Sequence, residues 1–252
     1  MNPSFPKTVL ITGASRGIGA AAALACAAQG WDVVVNCTRD VAAAEGVAAQ
    51  VRALGRRAIV VVADVADEAA VLAMYARIDA EFGALGGLIN NAGVIDQQVR
   101  IEDVTVARLQ RMFAINVFGS IVCAREAVKR MSTARGGAGG AIVNLSSVAA
   151  KLGAPGWYVD YAASKGAIDS FTIGLAREVA MEGIRVNAVR PGIIDTDIHA
   201  SGGQPDRAHA SAALIPMLRP GTAEEVAAAI VWLLSDEARY TTGATLDVSG
   251  GR

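Results

Sequence analysis

The chain has 252 residues, 53% of them apolar, and a formal net charge of -1 from 23 Lys and Arg against 24 Asp and Glu. A single α/β domain commonly reaches this length, and it buries enough surface to fold without disulfides or a structural metal. Near-neutral charge with no long run of one sign argues against a nucleic-acid footprint or a charged interaction tail.

The opening MNPSFPKTVLITG lacks the apolar core and small-residue cleavage pattern of a secretory signal. Ala20–Ala28 is apolar but too short to cross a bilayer. Cys26, Cys37 and Cys123 are scattered through apolar stretches, with no CxxC pairing and no nearby histidine. They read as buried free thiols rather than metal ligands, so no metal site is expected and a reducing, cytoplasmic setting is.

Short β-branched runs alternate with alanine-rich helical stretches along the chain. Thr8–Ile11 predicts a strand, Gly17–Gln29 a helix stopped by Gly30, and Asp32–Cys37 the next strand. Asp40–Leu54 predicts a helix closed by Gly55, Ala58–Ala63 a third strand, Asp67–Phe82 a helix ending at Gly83, and Leu88–Asn90 a fourth strand. A helical region over Arg108–Met131, a turn at Gly136–Gly140 and a strand at Ala141–Ser146 follow. The pattern continues with a helix over Tyr161–Gly183, a strand at Arg185–Arg190, a helix at Thr222–Leu234 and a last strand at Thr245–Val248. The strand runs are apolar throughout, as in a parallel sheet covered on both faces. Repeated β-α-β alternation predicts a doubly wound, Rossmann-type sheet. No repeat or linker divides the chain, so residues 1–252 are expected to form one domain. The irregular stretch from Ile193 to about Pro205 begins a segment, 193–220, expected to act as a substrate lid.

Thr12-Gly13-Ala14-Ser15-Arg16-Gly17-Ile18-Gly19 lies between the first strand and the first helix. Its glycines let the backbone turn sharply and approach a ligand, while the helix N-terminus offers free N–H groups and a positive dipole end to a pyrophosphate. The spacing is GxxxGxG rather than GxGxxG, so position carries as much weight as pattern. The second strand ends Val35-Asn36-Cys37-Thr38-Arg39 without an acid for a ribose 2′-hydroxyl. Arg39 and Arg16 instead suit a 2′-phosphate, favouring NADP over NAD, although Asp40 follows directly and could serve the ribose of NAD.

Tyr161 and Lys165 are four residues apart and share one helix face. An ammonium beside a phenol, joined by the positive ring of an oxidised nicotinamide, would favour the phenolate and suit Tyr161 to general acid–base work. Ser147, at the carboxyl end of a strand, could hold a substrate oxygen for Tyr161, with Ser146 as its immediate alternative.

Taken together, TGASRGIG at 12–19, Asp64-Val65, NNAG at 90–93, Asn116, Ser147, YAASK at 161–165 and PG at 191–192 make the chain resemble the short-chain dehydrogenase/reductase family from end to end. The resemblance implies NADP(H)-dependent exchange between a carbonyl and an alcohol on a sugar, polyol or β-keto acyl type of small molecule. It implies a catalytic set of Asn116, Ser147, Tyr161 and Lys165, with Asn116 anchoring a water that links Lys165 to a proton relay. It places Asp64 and Val65 at the adenine, Asn91, Ala92 and Gly93 along the ribose, and Pro191, Gly192, Ile194 and Thr196 at the nicotinamide end. Gly13, Ser15, Arg16, Gly17, Ile18, Gly19, Asn36, Thr38 and Arg39 complete the expected cofactor site, which Tyr161 and Lys165 also touch. It further implies a homotetramer that pairs helices from 101–131 and 161–183, with no nucleic-acid or membrane partner.

Pocket walls are expected from residues 94–98, 151–158 and 193–220, with Ile95, Trp157, Tyr158, Ile215 and Met217 as apolar and Asp96, Gln97 and His199 as polar candidates. The alternative reading, from another class, is a binding module that senses NADP(H) without turnover; the intact Ser147, Tyr161 and Lys165 set argues against it, since a sensor would have no need of all three.

Overall fold

In the computed structural model, which describes residues 5–198, 202–204 and 206–252, the expected strands form one sheet. They are β1 (Thr8–Ile11), β2 (Asp32–Cys37), β3 (Ala58–Val62), β4 (Gly87–Asn90), β5 (Gly140–Leu145), β6 (Ile184–Pro191) and β7 (Thr245–Val248). Their order is β3-β2-β1-β4-β5-β6-β7, and every pairing is parallel. This is the doubly wound, Rossmann-type architecture expected from the sequence.

Side chains alternate across a strand, and here both faces are covered. Val9, Ile11, Val33 and Val35 enter one core, which is closed by α1 (Gly17–Ala28), α2 (Val41–Ala53) and a late helix over Ala223–Leu234. Leu10 and Val34 point the other way, into a core closed by α3 (Glu68–Phe82), a helix over Ser120–Met131 and one over Val159–Val179. That explains why the strands read as unbroken apolar runs. Cys26, Cys37 and Cys123 are buried free thiols, and burial pushes Cys26 and Cys123 up to about 12.

The helices start where the sequence supplies caps. Asp67 accepts from the Ala69 and Ala70 N–H groups at the head of α3. Thr222 and Glu225 form a reciprocal capping box on the late helix. Most boundaries move by only one or two residues from the sequence reading, but two differences are larger. The helix expected over Arg108–Met131 is α4 (Val106–Phe113), a π-helical turn over Ala114–Gly119, and then α5 (Ser120–Met131). The helix expected over Tyr161–Gly183 runs from Val159 to Val179 and finishes in a tighter turn at Ala180–Glu182. A four-residue helix, α6 (Ala149–Leu152), precedes that long helix, α7; α8 (Arg207–Ala210) and α9 (Ala223–Leu234) complete the set. The stretch Val106–Met131 is long and apolar enough to cross a membrane. Its Cys123, Ala124, Ala127 and Met131 are nevertheless part of the protein core.

Chain order reverses between β1 and β4, and open α/β sheets form a ligand crevice beyond the carboxyl ends of the strands at such a point. The glycine turn leaves β1 there, residues 91–94 leave β4, Ser146-Ser147 leave β5, and Pro191-Gly192 end β6.

Candidate active site

Gly13 and Gly17 adopt φ of 62° and 55°, the left-handed region where a side chain would be strained. Gly19 is needed for a different reason: a Cβ there would lie 2.5 Å from the Gly13 carbonyl oxygen and 2.6 Å from Asn91 Nδ2. The turn is tied to β4 by two residues. Thr12 Oγ1 accepts from the Asn91 and Ala92 N–H groups at 3.0 and 2.9 Å, and Asn91 Nδ2 donates to the Thr12 and Gly13 carbonyls, both at 2.9 Å. The Asn91 amide is thus committed to shaping the turn. At the head of α1, Arg16 makes no side-chain cap and the first turn holds no acid. The N-terminal N–H groups therefore meet no competing carboxylate there, which suits an anion.

Asn36 does not point at the crevice. Its Oδ1 accepts from the Gly13 N–H at 3.2 Å, and its Nδ2 donates to the Val61 and Ala63 carbonyls at 3.2 and 3.0 Å. It staples β2, β3 and the glycine turn together. Thr38 and Arg39 lie exposed past the end of β2, and Arg16 and Ser15 lie on the turn. Asp40 is spent as the N-cap of α2, accepting from the Ala43 N–H at 3.0 Å. Asp64 is exposed and holds its own turn through the Ala66 N–H at 3.0 Å. Val65 is buried, so close beneath Gly119 that a Cβ there would come within 2.7 Å of it.

The helical register of α7 brings Tyr161 and Lys165 together, with Lys165 Nζ 5.8 Å from the Tyr161 ring centroid. Nζ donates to the Leu145 carbonyl at the end of β5 over 2.7 Å. Asn116 stands in the π-helical turn, fully buried. It accepts from the Val94 N–H at 2.8 Å and donates to the Val94 carbonyl at 3.0 Å and Ser164 Oγ at 3.1 Å. Gly93 closes the group: a Cβ there would sit 3.4 Å from Asn116 Oδ1 and 3.5 Å from Lys165 Nζ. The two serines separate by role. Ser146 Oγ donates to the Lys165 carbonyl at 3.2 Å, whereas Ser147 Oγ accepts from the Ala149 N–H at 3.1 Å and its hydroxyl acts on Tyr161, drawing the phenol down.

Electrostatics differ from the sequence expectation. Burial raises the Tyr161 phenol above its ordinary value, opposed by the Ser147 hydrogen bond and the charge of Arg207. Lys165 is not among the groups lowering it. Burial brings Lys165 itself down to about 8, with Asp169 opposing. The chain alone therefore holds a neutral phenol beside an ammonium that titrates near neutrality, rather than a phenolate.

A cleft of about 310 Å³ opens over this group. It gathers Ile18, Asn91, Gly93, Ser147, Tyr161, Lys165, Pro191, Gly192, Ile194 and Thr196 from the expected site. Thr196 also reaches over the glycine turn, within 3.5 Å of where a Gly17 Cβ would stand. Of the expected walls, Ile95, Trp157 and Tyr158 line the cleft. Met217 lines a neighbouring groove, and Ile215 is buried with Ile193 and Ala208. Asp96 and Gln97 do not line the cleft, Asp96 turning instead to its neighbour's N–H at 2.8 Å and to Arg111 at 3.6 Å. His199 and Pro205 lie outside the described residues. Sequence reasoning missed Arg207 and Arg252, which also line the cleft.

Comparison with known proteins agrees with this geometry. A family profile described as enoyl-(acyl carrier protein) reductase matches residues 13–252. An uncharacterised oxidoreductase of Escherichia coli is 54% identical over 96% of this chain and 98% of its own. A cis-4-hydroxycyclohexanecarboxylate dehydrogenase of Sinomonas cyclohexanicum is 41% identical over 100% of this chain and 98% of its own. Among solved structures, a short-chain dehydrogenase from Burkholderia cenocepacia in complex with NADP superposes with a TM-score of 0.89, at 36% identity and 98% coverage of both chains. The chain belongs to the short-chain dehydrogenase/reductase family of oxidoreductases.

Proposed function

We propose that this protein is an NADP(H)-dependent oxidoreductase that interconverts a carbonyl and a secondary alcohol on a small molecule, with Tyr161 as the general acid and base. The observation that carries this reading is the convergence of Ser147, Tyr161 and Lys165 on one cleft that also touches the first turn of α1.

The residues present fit a nicotinamide dinucleotide. The uncapped head of α1 and the close-packed glycine turn suit a pyrophosphate, and Gly93 leaves room beside Lys165 and Asn116. With Asp40 committed to capping α2, the end of β2 offers a ligand Thr38 and Arg39 but no free acid, which favours a 2′-phosphate. The NADP in the Burkholderia structure supports the same choice. When bound, this cofactor supplies or accepts the hydride.

The protein manages the proton. The Ser147 hydroxyl holds the substrate oxygen next to Tyr161, and the phenol donates its proton as that oxygen gains charge. A neutral phenol is the form needed for reduction. For alcohol oxidation the phenol must first ionise, and protonated Lys165, 5.8 Å from the Tyr161 ring centroid, and Arg207 are the cations at hand to assist. Asn116, hydrogen-bonded to Val94 and Ser164, keeps the floor beneath Lys165 and Gly93 in place. Of the expected lid, Ile193, Ile194, Thr196, Ile198, Arg207 and Leu214 line the cleft; Ile193, Ala208 and Ile215 form a small cluster of their own, while Ile194 is held in the core shared with β1 and β2. The apolar side chains Val106, Phe118, Ile121 and Ile173, exposed on α4, the π-turn, α5 and α7, offer faces for further copies and support a homotetramer.

Loss of nicotinamide absorbance with NADPH and a panel of ketones, aldehydes and sugars tests the reading. Tyr161→Phe should lower turnover by about 100-fold or more while leaving NADPH affinity within about threefold. Full activity in that variant would overturn the mechanism, and tight NADPH binding without turnover on any carbonyl would favour a sensor.

A further inference from the structure

Two guanidinium groups that belong to no motif line the cleft: Arg207, which opens α8, and Arg252. Arg207 Cζ lies 4.9 Å from the ring centroids of both Trp157 and Tyr158, and those rings meet edge to face at 6.5 Å. The two rings fix the guanidinium in place without giving it a hydrogen-bond acceptor. Its Nε is buried and without a partner among the described residues. Among the described residues no Asp or Glu lines the cleft and neither arginine joins an ion pair, whereas Arg108, Arg130 and Arg190 each hold a carboxylate.

The two charges act on each other and on the reacting group. Burial, and then Arg207, hold Arg252 below its ordinary value, and the charge of Arg207 also reaches Tyr161. Two like charges drawn together against apolar walls are unfavourable unless an anion joins them. Arginine presents a planar fork of donors that matches a carboxylate in two parallel hydrogen bonds. Ile95, Leu152, Ile198 and Leu214 add apolar wall to the cleft, and the volume suits a small body.

We propose that Arg207 and Arg252 form a carboxylate subsite, so that the substrate is a small hydroxy- or oxo-carboxylate with an apolar body, its carbonyl at Ser147 and Tyr161. This rests on the reading of Tyr161 as the reacting end. Cofactor phosphates are the competing anion, but the glycine turn follows β1, two strands away in the sheet from the β5 end that carries Trp157 and Tyr158.

The test uses full-length protein with NADPH and pairs of ketones that differ only in charge: levulinate, acetoacetate and oxocyclohexanecarboxylate, each against its methyl ester. Binding of the same acids to the NADP⁺-loaded protein is followed by tryptophan fluorescence, which does not depend on turnover. The carboxylates should exceed their esters by about tenfold or more in kcat/KM, since each charge-assisted hydrogen bond is worth roughly one decade. In Arg207→Gln and Arg252→Gln that ratio should fall towards one, and Arg207→Lys, which keeps charge without the fork, should fall between. Melting temperatures confirm that each variant is folded. Esters turned over as well as acids by the unaltered protein, no acid binding to the NADP⁺-loaded protein, or a preference for dihydroxyacetone phosphate over the acids would overturn the proposal. So would a loss of NADP⁺ affinity in the arginine variants, which would assign both groups to the cofactor. Ester reduction that is abolished by Tyr161→Phe would leave the oxidoreductase reading standing even then.

Discussion

Asn36 offers the sharpest separation between a residue that holds the cofactor and one that holds the fold. Its position at the end of β2 suggests a cofactor contact, yet its side chain spans three backbone segments instead. Asn36→Ala would strip the Gly13 N–H and the Val61 and Ala63 carbonyls of their partner. Each buried polar group left unpaired costs about 1–3 kcal/mol. Water can enter the space vacated by the amide, so the low end applies and the three together come to roughly 3 kcal/mol. For a domain of this size each kcal/mol shifts Tm by about 2–4 °C, giving an expected fall of about 6–12 °C. Thermal unfolding followed by circular dichroism, with an NADPH titration at a temperature where both proteins are folded, separates the two roles. A staple should lower Tm by that amount and weaken NADPH only through the distorted turn, by less than about tenfold. A Tm within about 2 °C of the parent, combined with a larger loss of NADPH affinity, would show that Asn36 is a cofactor ligand and that the hydrogen bonds described above are unimportant.

Two further outcomes follow from the neighbourhood of α7. Arg108 grips the buried Asp160 through Nε at 2.6 Å and Nη2 at 3.3 Å, and also donates to the Gln97 carbonyl at 2.6 Å. Arg108→Ala strands that carboxylate one residue before Tyr161 and should cost about 3–5 kcal/mol, read by denaturant unfolding, with Asp160→Leu in the same chain recovering part of it. A loss below about 1 kcal/mol would show the pair to be dispensable. Lys165, brought down to about 8, is charged below that pH and neutral above it, so ketone reduction should decline as pH rises through this range. Asp169 raises Lys165, so Asp169→Asn should move the declining limb of the kcat/KM profile to lower pH; an unmoved or upward-shifted limb would remove Lys165 as its source.

What the sequence disclosed about the site depended on how locally each feature is encoded. The turn after β1 was legible because its glycines are contiguous with the strand and helix they join. Tyr161 and Lys165 were legible because helical register alone places residues four apart on one face. The stapling part that Asn36 plays was not legible, because the direction of its amide depends on the register in which Asn36 faces Val61 on β3, and no spacing within β2 reveals that. Asn116 could be named only by resemblance. The periodicity of AINVFG is helical, and the π-turn that aims its amide at Val94 and Ser164 leaves no compositional mark. Asp40 was open to two readings until its carboxylate was seen capping α2. Arg207 and Arg252 are further still from any local rule, because only the folding of the segment after β6 and of the chain end over the β5 loop brings them to the cleft. The residues proposed for proton transfer are therefore written in short-range pattern, and those proposed for substrate choice in contacts between distant segments. Relatives that keep residues 12–19 and 161–165 while changing residues 193–220 and the C-terminal segment should keep the reaction and change what they accept.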